Sequence, residues 1–187
     1  MSPHLDESLC TKYPLIFANR HASMMETLMC WGFDCGDGWY DIIDTMCNLI
    51  QNHIDGNNNY RQYCIERNNI VEAYKSGNKE LYDELVKNHF SGKGFSEEYI
   101  QKHIESWVKL PPAVVPEEVN QVKAVQVKEK FGRLNFYYDY GDEYIRGVVR
   151  MAEAMSCVTC MECGKPGQMV TKGWWHVACV EHWKDDL

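Results

Sequence analysis

Two cysteines separated by two residues, in Cys160-Met-Glu-Cys163-Gly-Lys-Pro-Gly, carry the most specific chemistry in the chain. In a tight turn, two thiolates at this spacing can bind one Zn2+. A glycine after the second cysteine permits the turn that aims backbone N–H groups at sulfur. A second pair, Cys179-Val-Glu-His182, follows after fifteen intervening residues and reads as one turn of helix. Between the pairs, Gln168 to Val177 reads as a short hairpin turning at Lys172-Gly173. Knuckle, hairpin and ligand-bearing helix together describe a treble-clef-like zinc module. Cys157 and His176 compete for places in the ligand set. Cys157 ends an apolar helix and is read as a packed thiol, while strand alternation sets His176 on the opposite face from Trp175. The preferred set is therefore Cys160, Cys163, Cys179 and His182. A closed Cys3His site leaves no position for an activated water, so the zinc is expected to be structural. No His-x-Glu element precedes the Cys-x-x-Cys pair, so deaminase chemistry has no support. A tail this poor in aliphatic residues needs such a staple to hold together.

Other residues could bind a partner. Between Arg20 and Arg61 there is no lysine or arginine, while six carboxylates occur. Asp37, Asp41 and Asp44 stand at i, i+4 and i+7, one face of a helix. They offer an acidic surface to a basic partner, or else a solvated face with an N-cap. Trp31, Phe33, Trp39 and Tyr40 surround Cys35-Gly-Asp-Gly, which suits either a ligand-binding loop or a plugged helix corner. The remaining cysteines lack Cys-x-x-Cys spacing and read as small buried hydrophobes. A nucleophilic Cys35 or Cys64 with His53 as base would require spatial adjacency. Trp174-Trp175 is either an exposed hot spot or a cover for the zinc module.

The elements that must position these residues follow from periodicity. Apolar spacing predicts helices over 21–30 and 37–54, with Asp37 as N-cap of the second, separated by a glycine-rich turn. Asp55-Gly-Asn-Asn-Asn59 reads as a stop. Further helices are expected over 60–74, closed by Gly77, over 79–90, and from an N-cap at Ser96 to Val108. Leu110-Pro-Pro-Ala-Val-Val-Pro116 is a stiff connector and the best internal boundary. Beyond it the period falls to two, and a hairpin turning at Gly132 is expected, followed by a helix from Asp142 to about Ser156 with Tyr144, Ile145, Val148, Val149, Ala152 and Met155 on one face. The expected class is α+β: a helical N-terminal part (1–110), a β-hairpin plus packed helix (111–156) and the zinc module (157–187), either as separate parts or as one compact unit.

Composition narrows the function. The 187 residues carry 19 basic and 27 acidic side chains, a net charge of −8, which disfavours a general nucleic-acid binder. No apolar run approaches the roughly 18 residues of a membrane helix. Residues 1–8 lack the basic and apolar segments of a signal peptide, and nine cysteines without export point to a reducing compartment.

The segments Val127-Lys-Glu-Lys-Phe-Gly-Arg-Leu-Asn-Phe-Tyr-Tyr, Tyr144-Ile-Arg-Gly-Val-Val-Arg-Met-Ala-Glu-Ala-Met-Ser and Cys160-x-x-Cys163-Gly-x-Pro-Gly resemble a group of small proteins of tailed bacteriophages and prophages. Trp31-Gly-Phe-Asp-Cys-Gly-Asp-Gly-Trp-Tyr-Asp-Ile-Ile-Asp is similar to the N-terminal half of the same group. The group's tail pattern includes a Cys-x-x-His matched by Cys179 and His182, and Cys157 lies outside it. The resemblance implies a phage source and a bound zinc, and no activity. The expected function is a non-enzymatic accessory protein in the cytoplasm of an infected bacterium that binds and modulates a host protein, in host takeover or counter-defence. Asp37/Asp41/Asp44 and the zinc module are its expected contact surface. The alternative is sequestration or hydrolysis of a small molecule or nucleotide in a pocket near Trp31 to Tyr40.

Overall fold

A two-residue turn organises the first part of the fold. Strands β2 (Lys123–Lys130) and β3 (Arg133–Asp139) pair antiparallel, with Val127 opposite Phe136 and Lys130 opposite Arg133. Phe131 and Gly132 join them at φ values of 55° and 73°. This is the primed hairpin geometry, whose twist matches the strands, and glycine enters it without strain. The structure is a computed structural model, and residues 1–183 are described.

Helix α5 (Glu143–Ser156) returns along β3. Its N-cap is Asp142, whose Oδ1 accepts the Ile145 amide at 3.0 Å. Ile145, Val148, Val149 and Ala152 face the core as expected, whereas Tyr144 and Met155 are exposed. The helix also protects the sheet edge. The Leu134 amide donates to Ser156 Oγ (2.9 Å) and the Phe136 amide to Glu153 Oε1 (3.3 Å). β3 therefore does not offer these donors to another strand.

Two elements carried no periodic signal. β1 (Phe33–Asp34) adds a parallel edge to β2, giving the order β1-β2-β3. Helix α1 (Pro3–Lys12) buries only Leu9 and is held largely by polar contacts. Conversely, the helix expected over 21–30 is replaced by turns and one 3-10 turn at Leu28–Trp31. The hydroxyl of Thr27 explains the break. It accepts the Met29 amide (3.1 Å) and donates to the Val125 carbonyl (3.2 Å), fixing the chain to β2. Met29 is buried, while Met24, Met25 and Leu28 stay exposed.

Helix α2 (Tyr40–Ser76) runs for 37 residues straight through the expected stop at 55–59. Glycine and asparagine each cost roughly 0.5–1 kcal/mol in a helix interior. Ending the helix would cost more, because a second one would have to be nucleated afresh. Both flanks are anchored: Ile43, Met46, Ile50 and Ile54 before the break, Cys64 and Ile70 after it. The helix over 60–74 is therefore the second half of α2, which Gly77 closes at φ 72°.

Contacts divide the chain into two compact units, Met1–Ile54 with Val119–Leu187, and Asp55–Glu118. The span 1–110 drawn from sequence is thus shared between them, and residues 119–187 belong with the N-terminal 54. In the first unit Leu9, Ile16, Trp39, Ile43, Val127, Leu134 and Ile145 lie within one core. The second unit comprises the later part of α2, α3 (Lys79–Phe90), α4 (Glu97–Val108) and the proline connector. Asn78 and Ser96 cap α3 and α4 by accepting the Leu81 and Tyr99 amides. Ile70, Phe90, Ile104 and Trp107 form its core, beside which buried His89 donates Nδ1–H to Glu66 (2.6 Å). Asn68 clamps the connector with paired bonds to the Ala113 backbone, both 2.8 Å. Five helices and two small sheets among the described residues make the protein α+β. No helix among them is long and apolar enough to cross a membrane.

Gly56 has open space where a Cβ would stand, so Gly56→Ala should stabilise the protein by about 0.5–1 kcal/mol in urea unfolding.

Asp142 also accepts from His53 Nε2 at 2.7 Å. Burial pushes its carboxyl up, but bonds from His53 and the Ile145 and Tyr144 amides outweigh this and hold it below the usual carboxylate range. Stability from a lowered carboxyl is present above the unfolded value of about 4 and lost as pH falls through the folded one. Asp142→Ala should cost about 1–2 kcal/mol near neutrality, and its gap to wild type should close on acidification in paired unfolding curves.

Candidate metal centre

The glycines of Cys35-Gly-Asp-Gly-Trp39 lie against the Cys160–Cys163 turn. A Cβ on Gly38 would overlap the Cys160 carbonyl and the amides of Cys163 and Gly164, and one on Gly36 would overlap the Met161 backbone. The Gly38 amide donates to the Met161 carbonyl (2.8 Å), and Trp39 Nε1–H donates to the Thr159 carbonyl (2.9 Å). Close backbone approach of this kind is what glycine allows. Trp39 is fully buried, so it pins the knuckle to the start of α2 and binds no external ligand.

The knuckle itself is a turn closed by the Gly164 amide on the Cys160 carbonyl (2.9 Å), with Gly164 at φ 75°. The Cys160 amide donates to the Lys165 carbonyl at 2.8 Å. Strands β4 (Gln168–Val170) and β5 (His176–Ala178) form the expected hairpin, with Gly173 in its turn at φ 76°. The Met161 amide reaches the Val177 carbonyl (3.0 Å) and joins knuckle to hairpin. Where a helix was expected at Cys179–His182, the described residues show a hydrogen-bonded turn, with the His182 amide on the Cys179 carbonyl at 3.0 Å. Residues 184–187 lie outside the described residues, including Lys184, Asp185 and Asp186 of the tail. Lys165 and Glu181 bridge the two ligand pairs at 2.6 Å.

These turns bring Cys160, Cys163, Cys179 and His182 together, with one ligand atom from each lying within 4.8 Å of the others. Cys163 Sγ stands 3.7 Å from Cys179 Sγ, and His182 Nδ1 lies 3.5 Å from Cys160 Sγ and 3.3 Å from Cys179 Sγ. Metal–ligand bonds of about 2.3 Å to sulfur and 2.05 Å to nitrogen give tetrahedral edges of about 3.8 and 3.6 Å. The observed separations are close to those edges.

The electrostatics suit a cation. Burial pushes the Cys160 thiol up, but backbone amides of Cys179, Cys163 and Glu162 outweigh it and bring it down to about 6. Burial likewise opposes ionisation of Cys179, and the His182 amide and ring overcome it. At Cys163 the Lys165 amide favours the thiolate, yet partial burial and the sulfurs of Cys179 and Cys160 leave the thiol raised. Three clustered sulfurs resist full ionisation until a cation stands among them, and the four residues can hold a metal ion.

Cys157 and His176 lie outside the cluster. Cys157 caps α5 and donates to the Glu153 carbonyl, while His176 Nδ1–H donates to that of Trp174. Cys157, Cys10 and Cys30 are half-buried rather than core, whereas Cys35, Cys47 and Cys64 are buried. Burial pushes the Cys35 thiol up to about 12, against its use as a thiolate nucleophile. His53 pairs with Asp142 and stacks on Tyr144 at 4.1 Å.

Two of the three aspartates of the acidic face have partners within the chain, though Asp37 stays exposed. The Asp37 carboxylate accepts the Ser2 amide (2.6 Å), and Gly36 takes the N-cap position expected for Asp37. Asp44 accepts from Lys12 Nζ (2.7 Å) and from the Tyr13 hydroxyl (2.9 Å), anchoring α1 to α2. Asp41 faces solvent. Trp31 is 70% exposed above a concavity of about 710 Å3 that also has Asp6, Cys10, Arg20 and His21 in its wall. Arg20 there is already held by Asp6 at 2.9 and 3.1 Å.

No protein-family profile, curated protein or solved structure matches this chain.

Gly38→Ala should separate knuckle from seat while leaving all four ligand side chains in the sequence. Metal should pass to a chromophoric chelator about tenfold faster or more, and the melting temperature should fall by several degrees. An unchanged transfer rate would show that the glycine seat does not support the site.

Proposed function

We propose that the protein is a zinc-stapled, non-enzymatic binding protein of the tailed-phage type, acting in the cytoplasm of an infected bacterium by binding and modulating a host protein. Zinc is the assigned metal because three thiolates and one imidazole in a tetrahedral arrangement are its preferred donors in reducing surroundings. Cys160, Cys163, Cys179 and His182 would hold it. With all four positions taken by protein, the ion supplies cross-linking and no bound water for hydrolysis.

The observation that carries the binding role is a group of aromatic rings where the β4–β5 loop of the metal module meets the β2–β3 turn. Trp174 is 74% exposed, Trp175 48% and Phe131 68%, and Phe131 meets Trp175 edge-on at 6.4 Å. Neither indole serves as a buried lid for the ligand cluster. Large exposed rings held side by side on rigid turns are the composition of a binding hot spot. The contact surface therefore moves from Asp37/Asp41/Asp44, two of which are occupied, to the far edge of the metal module.

Two measurements test this. The purified protein should contain about one zinc per chain, and Cys163→Ser should lose it with loosening of residues 157–183; zinc retained at full stoichiometry by that variant would sink the ligand assignment. Pull-down from infected bacterial cells followed by mass spectrometry should return a host protein in near-stoichiometric yield. A clean preparation that captures none rejects the binding role.

A further inference from the structure

The rings of Phe131, Trp174 and Trp175 and the backbone of Gly173 enclose an open slot of about 430 Å3. Two turns build it. Phe131 belongs to the β2–β3 turn and the other residues to the β4–β5 loop. The turns pack directly, since a Cβ on Gly132 would strike Met169 and come within 3.4 Å of His176 Cα. The slot is therefore set by two hairpins in contact, and among the described residues its lining holds no carboxylate, amide or hydroxyl side chain.

Lysines lie near the slot, against the net charge of the whole chain, and the Glu129 carboxylate at the β2–β3 turn is taken up by the Gly132 amide at 2.5 Å. Lys130 stands beside Phe131 with its ammonium 5.6 Å from the ring centroid. Lys172 adjoins Gly173. Lys128 lies two residues along β2 from Lys130 and sits over Tyr137 at 5.6 Å. Among the described residues no carboxylate forms an ion pair with any of these three lysines, whereas neighbouring Arg133 is paired with Glu153 at 2.9 Å. Lys130 at the Phe131 ring, with Lys172 next to Gly173 in the loop and Lys128 farther along β2 opposite Asp34 of β1, gives the apolar slot two chemical requirements: an apolar group to fill it and anionic groups to meet its basic side.

Resting on the protein-binding role proposed above, we infer that this slot receives one apolar side chain from an acidic segment of the partner protein, whose carboxylates pair with Lys130, Lys172 and Lys128. A short acidic segment fits better than a nucleic acid for two reasons. The slot offers few polar groups to the edge of a base, and it suits an aliphatic or aromatic side chain that needs none. A polyanion would also continue beyond the tip into the field of a chain carrying −8. A segment of a few residues feels mainly the local lysines, because charges farther than about 10 Å are screened.

The test is selection of a random linear-peptide display library on the immobilised full chain, counter-selected on Trp174→Ala. The expected consensus has two or more Asp or Glu flanking a single Phe, Leu or Trp. A synthetic peptide of that consensus should quench indole fluorescence on binding and weaken with added salt. It should lose about tenfold or more in affinity on Trp174→Ala and on the double charge reversal Lys130→Glu/Lys172→Glu, and Trp174→Phe should retain most of the binding. Circular dichroism and zinc content should match wild type in each variant. The inference is overturned by no enrichment, by a consensus without acidic residues, or by binding indifferent to Trp174. Tighter binding of an oligo-dT strand than of the peptide would also overturn it, as would self-association abolished by Trp174→Ala, because the occupant would then be nucleic acid or a second copy. A host protein captured equally by wild type and Trp174→Ala would leave the binding role standing and remove this surface from it.

Discussion

The contact on which the first unit depends is the seating of the Cys160–Cys163 turn against Gly36-Asp-Gly38. Metal thiolate turns are short and contain little that could bury itself, so they must be held from outside. Here a glycine pair allows backbone to meet backbone, with the Gly38 amide on the Met161 carbonyl and the Trp39 indole on that of Thr159. The indole is at once the hydrogen-bond donor to the knuckle and a fully buried member of the main core. Any movement of the ligand turn is therefore felt at the start of α2, and disorder in the core would be felt at the metal.

That arrangement explains why some features were legible in the sequence and others were not. Cys-x-x-Cys, the Phe131-Gly132 turn and the Asp142 cap are local: residues within a few positions of one another satisfy their own chemistry. The hairpin, α5, α3 and α4 accordingly stand where periodicity and caps placed them, and the four metal ligands come together. The role of Cys35-Gly-Asp-Gly-Trp39 was hidden, because its partner lies about 120 residues away and glycine spacing alone does not say what approaches. α1 was invisible for a different reason. With one buried side chain it has no apolar face, and it is recruited through Asp44, Lys12 and Tyr13.

The acidic segment shows what a sequence pattern leaves open. Asp37, Asp41 and Asp44 do stand near one face at the start of α2, yet Asp37 and Asp44 are spent on Ser2, Lys12 and Tyr13. Over 55–59 the expected helix stop is absent. Each Gly or Asn weakens a helix locally, but the decision is made by the apolar residues on both sides, which the α2 core positions supply. There tertiary packing overrode a local signal.

On the proposed binding role, a metal held by the four ligands would act beyond stability. The β4–β5 hairpin has three residues in each strand, too few to persist alone in water. It is fixed at one end by the Met161 amide on Val177 and the adjoining ligand cluster, and along its flank by the packing of Met169 and His176 on Gly132. Trp174 and Trp175 ride on the loop between those restraints. A hairpin free to fray would let the two indoles collapse onto the protein or splay apart, and a partner would then have to order them at an entropic cost. A metal cross-link behind the loop would remove that cost in advance. A structural ion can in this way serve recognition without touching what is recognised.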